Sequence, residues 1–564
     1  MSSMINSLRP TSKVTISGVR RSISQPTTSN TIYLGTTPSQ VPPALPPIPA
    51  PREHPAFPPT LITGGCGFIG KTLIQYILAR HPRAKLAITD KQPPPPQYLG
   101  QDNITFHQID LTDKVAVEKL LEETRPELII GVAGLIPGPK IKDRNPFFID
   151  NVSAIRTLVE GCQSILLEKL SLHVRGFVHT SSSDTVKGTR ELAGVDERTP
   201  YPKVFFDVYS ESKAQGEQIV LAANCPGFPT TCLRPHGILG AEGHIMPMMY
   251  QSLKNNETVV QIGDNKNLYD FVDVENYCAA VLLAVYNLLT VPIPSTAIGP
   301  QDLHYDYIEQ GNGDENGDPI SAAGHTFFIT NLEPVYFWSW TRRVWGWLAQ
   351  GSSLSLEGPD SAQNNLDLKS GDQLTSISSD LSAPVTSASD IPANPLEAVR
   401  QELDHGAAAK HRRSSSSFGN AIRTATAFSF SATPPLPALY KPYSPPPPPF
   451  PESNKFHEQA PLKIPKALGL ALAYATELFT TTVRGKDPGL TKARIQECCY
   501  NRWFRGDKAG HVLGYWGGLA PDSKGYGMGG IGLWYSTKRA CYQYLQILEK
   551  AKHASQARDT SSPK

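Results

Sequence analysis

The feature that most constrains the fold is a glycine-rich turn, Thr63-Gly-Gly-Cys-Gly-Phe-Ile-Gly70, set between a short β-branched run and a helix pattern. Thr60–Thr63 reads as the end of a strand. Residues Lys71–Arg80 carry Leu73, Ile74, Ile77 and Leu78, the spacing of one helix face. Each glycine of Gly64-x-x-Gly67-x-x-Gly70 has a physical use. Gly64 permits the tight turn, Gly67 lets backbone approach a pyrophosphate, and Gly70 lets helix pack closely on strand. Phe68 and Ile69 complete the turn. The helix N-terminus then presents unpaired N–H groups and a positive dipole end to phosphates. The expected fold class is α/β: a parallel, doubly wound sheet of the NAD-binding Rossmann type.

Asp90 ends the next apolar run, Lys85–Thr89. A carboxylate there accepts hydrogen bonds from adenosine ribose hydroxyls and repels a 2′-phosphate, which favours NAD over NADP. Lys91 follows directly and works against that preference.

Phe205–Ala222 reads as a helix that begins near Asp207 and places Tyr209 and Lys213 on one face at i, i+4. A free tyrosine has a pKa near ~10 and is a poor base at neutral pH. A neighbouring ammonium favours the phenolate, and Lys213 also reaches ribose hydroxyls. Upstream, the strand Gly176–Thr180 ends in Ser181-Ser182-Ser183. A hydroxyl at that strand end can orient a substrate oxygen. Singly, Tyr209 could be a surface helix residue and the serines a loop cap. Their order after a glycine loop points to an enzyme that moves a proton beside a hydride.

These residues resemble the extended short-chain dehydrogenase/reductase superfamily. The likeness includes the glycine loop, Asp90, Asp110-Leu111 after a third strand, and Val132-Ala133-Gly134 after a fourth. Asn151-Val152, the serine run, Tyr209-x-x-x-Lys213 and Leu233-Arg234-Pro235-His236-Gly237 extend it. The likeness implies cofactor contacts at Gly64, Gly67, Phe68, Ile69, Gly70, Asp90, Asp110, Leu111, Lys213 and Pro235. Counting back from Gly188 in the family pattern selects Ser183 as the catalytic hydroxyl beside Tyr209 and Lys213, with Ser182 second. The C-terminal half is similar to the 3β-hydroxysteroid dehydrogenase family, in its fungal sterol-carboxylate branch, through His325–Leu348 and Ala467–Tyr515. That implies NAD-dependent oxidation of a 3β-hydroxyl on a sterol-like substrate, with decarboxylation where a 4α-carboxylate is present. Lys187 departs from the pattern, standing where the family often has a tyrosine or a small residue.

The 564 residues suffice for one large domain with tails. The expected organisation is a disordered tail over 1–58, a Rossmann core over 59–290 and a first substrate region over 291–350. A disordered Ser/Ala/Pro-rich insert over 351–453, a second substrate region over 454–551 and a tail over 552–564 follow. The basic, Ser-rich first segment also has a presequence-like composition. Arg412-Arg413-Ser414-Ser415 resembles a basophilic kinase target. A net charge of +2 gives no electrostatic case for nucleic acid. The eight cysteines show neither C-x-x-C nor metal spacing and read as reduced intracellular thiols; no metal is expected.

No run reaches the roughly 18–20 apolar residues of a membrane span. Trp338, Trp340, Trp345 and Trp347 allow two readings: a helix lying in a membrane interface, or the lid and core of an apolar pocket. The first makes the protein a peripheral partner of the endoplasmic reticulum membrane; otherwise it is cytoplasmic. The superfamily likeness also implies a homodimer. Two other functions fit the catalytic residues less well: a nucleotide-sugar epimerase or dehydratase, which needs basic residues for a diphosphate, and a non-catalytic NAD-sensing scaffold, for which retention of Tyr209 has no use.

Overall fold

The computed structural model describes residues 57–137, 143–169, 174–301, 319–356, 461–479, 491–519 and 531–561. Most of the expected N-terminal tail, nearly all of the 351–453 insert and the Arg412–Ser415 site lie outside the described residues.

The main sheet has seven strands, all parallel. They are β1 (Thr60–Thr63), β2 (Leu86–Asp90), β3 (Ile104–Gln108), β4 (Leu128–Gly131), β5 (Gly176–Thr180), β6 (Thr230–Pro235) and β7 (Thr326–Ile329). Their spatial order is 3-2-1-4-5-6-7. The chain runs outward from β1 in one direction and then returns to its other side at β4. The crevice beyond the ends of β1 and β4 is therefore the topological switch point, where such sheets bind ligands. Strands β1, β4 and β5 are buried along their whole length, as continuous apolar runs covered on both faces must be.

One face is covered by α1 (Phe68–Arg80), through Leu73, Ile74 and Ile77, and by α5 (Val274–Thr290). The other is covered by α2 (Lys114–Thr124), α3 (Ala154–Lys169) and α4 (Val208–Ala222). Helix α1 starts three residues earlier than the apolar spacing alone indicates, so Gly70 sits in its first turn. The seventh strand is also a correction. Thr326–Ile329 falls in the stretch assigned from sequence to the substrate region, yet it pairs in register with β6 from Thr326↔Cys232 to Ile329↔Pro235. Its apolar Phe327 and Ile329 complete the core of the main sheet.

Above the strand ends lies a four-stranded sheet ordered Val335–Tyr336, Leu268–Tyr269, Arg502–Phe504 and Leu192–Val195. Its strands come from distant parts of the sequence. Helix α6 (Phe337–Ala349) packs beside it with Ile245–Lys254 and Leu533–Ser561. All four tryptophans of α6 are buried: Trp338 at 8% exposure, Trp340 at 2%, Trp345 at 4% and Trp347 at 2%. These rings pack into the cluster between the small sheet and its helices. Exposed apolar side chains occur instead on the helix Lys466–Phe479, at Leu468, Leu472 and Tyr474. Among the described residues, no helix is long and apolar enough to cross a membrane.

Candidate active site

The glycine loop leaves β1 and enters α1 with no room for side chains. Gly64 has φ +72°, and a Cβ there would come to 2.7 Å from the Ala133 backbone at the end of β4. A Cβ on Gly70 would come to 2.2 Å from the Gly64 carbonyl. Gly67 is the N-cap of α1 and supplies no side-chain cap. The first N–H groups of α1 therefore face the crevice with their donors unused by a cap, as a pyrophosphate requires. Phe68 lies under the Gly240–Gly243 turn, where a Cβ on Gly240 would come to 2.4 Å from its ring. Ile69 packs on the core beneath.

Asp90 accepts the N–H of Cys66 at 2.9 Å and of Gln92 at 3.0 Å, fixing the loop to the end of β2. Burial, then the Asp90 charge, push the Cys66 thiol up to about 11, so it is not a reactive thiolate. Lys91 turns to Asp150 at 2.6 Å and Asp110 at 3.2 Å. Its charge is matched by two carboxylates. Asp110 also accepts from the Thr112 N–H at 2.9 Å and hydroxyl at 2.8 Å, while Leu111 is buried. Pro235 ends β6 at the same rim of the sheet.

Helix α4 is capped by Asp207, which accepts the Ser210 N–H at 2.7 Å. This cap sets the phase that sends Tyr209 and Lys213 inward. Lys213 Nζ donates to the Thr180 carbonyl at 2.7 Å and would stand 3.6 Å from a Cβ on Gly134. The helix thus meets the switch point directly, because Gly134 follows the Ala133 that crowds Gly64. Asn151, in a π-helical turn spanning Ile149–Ser153, fixes the loop after β4. It accepts the Leu135 N–H at 2.7 Å and donates to Ser212 at 3.0 Å.

Ser182 and Ser183 take different partners. Ser182 stands close enough to the Tyr209 phenol to favour its ionised form. Ser183 is turned toward His236 Nδ1 at 2.7 Å. The reason is local. Ser182 is the last extended residue before the 3-10 turn Ser183–Val186 and caps it through the Asp184 N–H. Burial pulls the His236 imidazole down to about 4, so it is neutral.

The protonation of Tyr209 also reflects its surroundings. Burial, opposed by the Ser182 hydrogen bond and reinforced by Asp184 and Asp207, raises the Tyr209 phenol above the ordinary tyrosine value. Lys213 does not offset this. It is itself desolvated and drawn down to about 8, and its ammonium is committed to a backbone carbonyl. In the chain alone Tyr209 is a protonated phenol.

Sequence reasoning missed the support beneath this site. Glu217 lies on the α4 face of Tyr209 and Lys213, at 0% exposure, and pairs with buried Arg234 at 2.7 Å. It also accepts from Ser181 at 2.6 Å and Tyr201 at 2.7 Å. The i, i+4, i+8 spacing of Tyr209, Lys213 and Glu217 was the available signal. His236, Asp184 and Arg502 were missed as well.

A family model described as the 3-beta hydroxysteroid dehydrogenase/isomerase family matches residues 61–308. The chain is 32% identical over 295 residues to a decarboxylating sterol-4-alpha-carboxylate 3-dehydrogenase of Saccharomyces cerevisiae, covering 50% of this chain and 74% of that protein. It is 31% identical over 284 residues to the protein of that description in Schizosaccharomyces pombe, covering 50% and 72%. Among solved structures, the Bordetella bronchiseptica enzyme WbmH in complex with NAD+ is 16% identical with a TM-score of 0.38, covering 53% of this chain and 82% of that one. The chain belongs to the 3-beta hydroxysteroid dehydrogenase/isomerase family, NAD-dependent oxidoreductases of the extended short-chain dehydrogenase/reductase type.

Proposed function

We propose that this enzyme oxidises the 3β-hydroxyl of a sterol-like substrate, and that a 4α-carboxysterol is the substrate it is built for. What supports the reading is Lys213, one helical turn after Tyr209, standing beside Gly134 in the loop that meets the glycine cradle at Ala133. The relatives described as sterol-4-alpha-carboxylate 3-dehydrogenases support the substrate class.

Gly64, Gly67, Phe68, Ile69 and Gly70 would hold the pyrophosphate, and Asp90 the adenosine ribose. Asp110 and Leu111 would line the adenine side, with Lys213 and Pro235 at the nicotinamide end. Bound NAD+ supplies a hydride acceptor and a positive charge. Tyr209 takes the hydroxyl proton, while Ser182 holds the substrate oxygen in line. Ser183, anchored on His236, offers a second hydroxyl to the same turn. Lys213 keeps its ammonium at the strand end, where ribose hydroxyls would replace part of its lost hydration.

Oxidation of the alcohol releases one hydride and one proton and leaves a C3 ketone. With a carboxylate on C4 the product is a β-keto acid. Its C4–carboxyl bond then breaks, the electron pair passes to the enolate, and carbon dioxide leaves. Protonation at C4 completes the step, so the protein need only make the ketone. The test is NADH formation by the purified enzyme with 3β-hydroxysterols and 4α-carboxysterols, with the sterol product identified by mass. A ketone one carboxyl lighter than the acid supplied supports the reading. NADH formation with neither sterol class refutes it.

A further inference from the structure

Arg502 opens one strand of the small sheet and has no part in the chemistry above. It is completely buried, and its Nε, Nη1 and Nη2 all lack hydrogen-bond partners. The Glu497 carboxylate stands 3.6 Å from Nε, beyond hydrogen-bond range. Buried donors in folded proteins are almost always satisfied, and a buried guanidinium with three unused nitrogens is a costly exception unless a ligand completes it.

The surroundings say where that ligand sits. The Phe206 ring lies between two cations, Lys187 at 4.1 Å and Arg502 at 5.4 Å, and Phe206 is three residues before Tyr209. Lys187 is already engaged by Asp184 at 3.4 Å and by Glu497. Asp184 follows Ser183 directly, and its charge acts on both Tyr209 and Arg502. His236, bonded to Ser183, packs at a tilt against Tyr269 at 4.8 Å and Phe504 at 5.0 Å, on the two strands that flank and contain Arg502. The unused donors therefore lie in the same cluster of side chains as the serine turn.

We propose that Arg502 is the specificity residue that recognises the carboxylate of an acidic sterol, taking both carboxylate oxygens in its planar fork. This rests on the oxidation proposed above and names the group by which that site selects its substrate. A guanidinium matches a carboxylate in two parallel charge-assisted bonds, whereas it gains little from a neutral sterol ring. A carboxylate on C4 is one carbon from the reacting C3, so recognition and proton transfer occur within one pocket. Lys187, Asp184 and Glu497 hold each other and keep Arg502 in place without using its donors.

The experiment compares wild type, Arg502→Gln and Arg502→Lys on a 4α-carboxysterol, its methyl ester and the matching 4-desmethyl 3β-hydroxysterol, with NADH formation as readout. Loss of a charge-assisted pair should raise KM for the acid by roughly 10- to 100-fold in Arg502→Gln, with kcat and the neutral substrates little changed. Arg502→Lys should recover part of the loss. Equal losses on acid and neutral sterols in a variant that melts as wild type does would assign Arg502 a structural role and overturn the proposal. Should both variants fail to fold, the wild type still decides. It must favour the acid over its methyl ester, and equal kcat/KM for the two overturns the inference while leaving 3β-hydroxyl oxidation intact. Inactivity of the wild type on every sterol instead removes the oxidation reading itself.

Discussion

Lys213 Nζ lies 2.7 Å from the Thr180 carbonyl, at the end of the strand that carries the serine turn. One turn earlier on the same helix, Tyr209 meets Ser182 at the start of that turn. Helix and strand are thereby pinned at Lys213. The pinning also sets the protonation states. The lysine is desolvated, and the phenol is buried near two carboxylates.

The pH dependence follows from this. Tyr209 is raised by burial first and then by Asp184 and Asp207, so at neutral pH only a small ionised fraction of the phenol is ready to accept the hydroxyl proton. The kcat/KM for alcohol oxidation should therefore climb about tenfold per pH unit from neutrality until the phenol ionises in the complex. Asp184→Asn removes one negative charge and should shift that limb toward acid. A profile flat between pH 7 and 9, or unmoved by Asp184→Asn, would contradict the assignment.

The pair beneath the site predicts a stability effect. Glu217→Gln leaves the Arg234 guanidinium buried without its counter-charge, at 4% exposure. The expected loss is about 3–5 kcal/mol by urea unfolding, because an uncompensated buried charge is costly. Glu217→Gln with Arg234→Met should recover much of it.

A third expectation concerns Asp270, which is fully buried and raised to about 8, chiefly by burial. Its folded value exceeds its unfolded one, so the folded state holds the proton more tightly. The stability this confers is complete below the unfolded carboxyl value and is lost as pH rises through 8. Asp270→Asn, which keeps the shape and drops the charge, should raise Tm relative to wild type at pH 9. The difference should shrink as pH falls toward 4, followed by thermal melts across that range.

Gly70→Ala tests the cradle. Its Cβ would meet backbone on both sides, the Gly64 carbonyl at 2.2 Å and the Gly65 Cα at 2.7 Å. The loop must open, at a cost of about 1–3 kcal/mol. NAD affinity should fall at least about tenfold, read by fluorescence titration of the purified variant.

Much of the site was legible in the sequence because its parts are local. The glycine loop is eight consecutive residues, and Tyr209 and Lys213 share one helix face by spacing alone. The support was not legible, because its contacts join distant segments. Lys187 meets Glu497 across 310 positions, and Asp270 meets the Phe504 N–H across 234. The partners of the two serines also escaped, since a single turn sends Ser183 to His236 and leaves Ser182 capping Asp184. Likewise the apolar face of α6 fits lipid or core equally well. Only the sheet packed beside it distinguishes the two.

The account stands most directly on Tyr209, and a single-turnover experiment with Tyr209→Phe tests it. Enzyme, NAD+ and a 4α-carboxysterol are mixed, with NADH formation and NAD+ binding followed on the same preparation. The account predicts unaltered NAD+ affinity and a rate reduced by at least about a thousandfold, since the proton acceptor is gone. Near-wild-type NADH formation by Tyr209→Phe would contradict it.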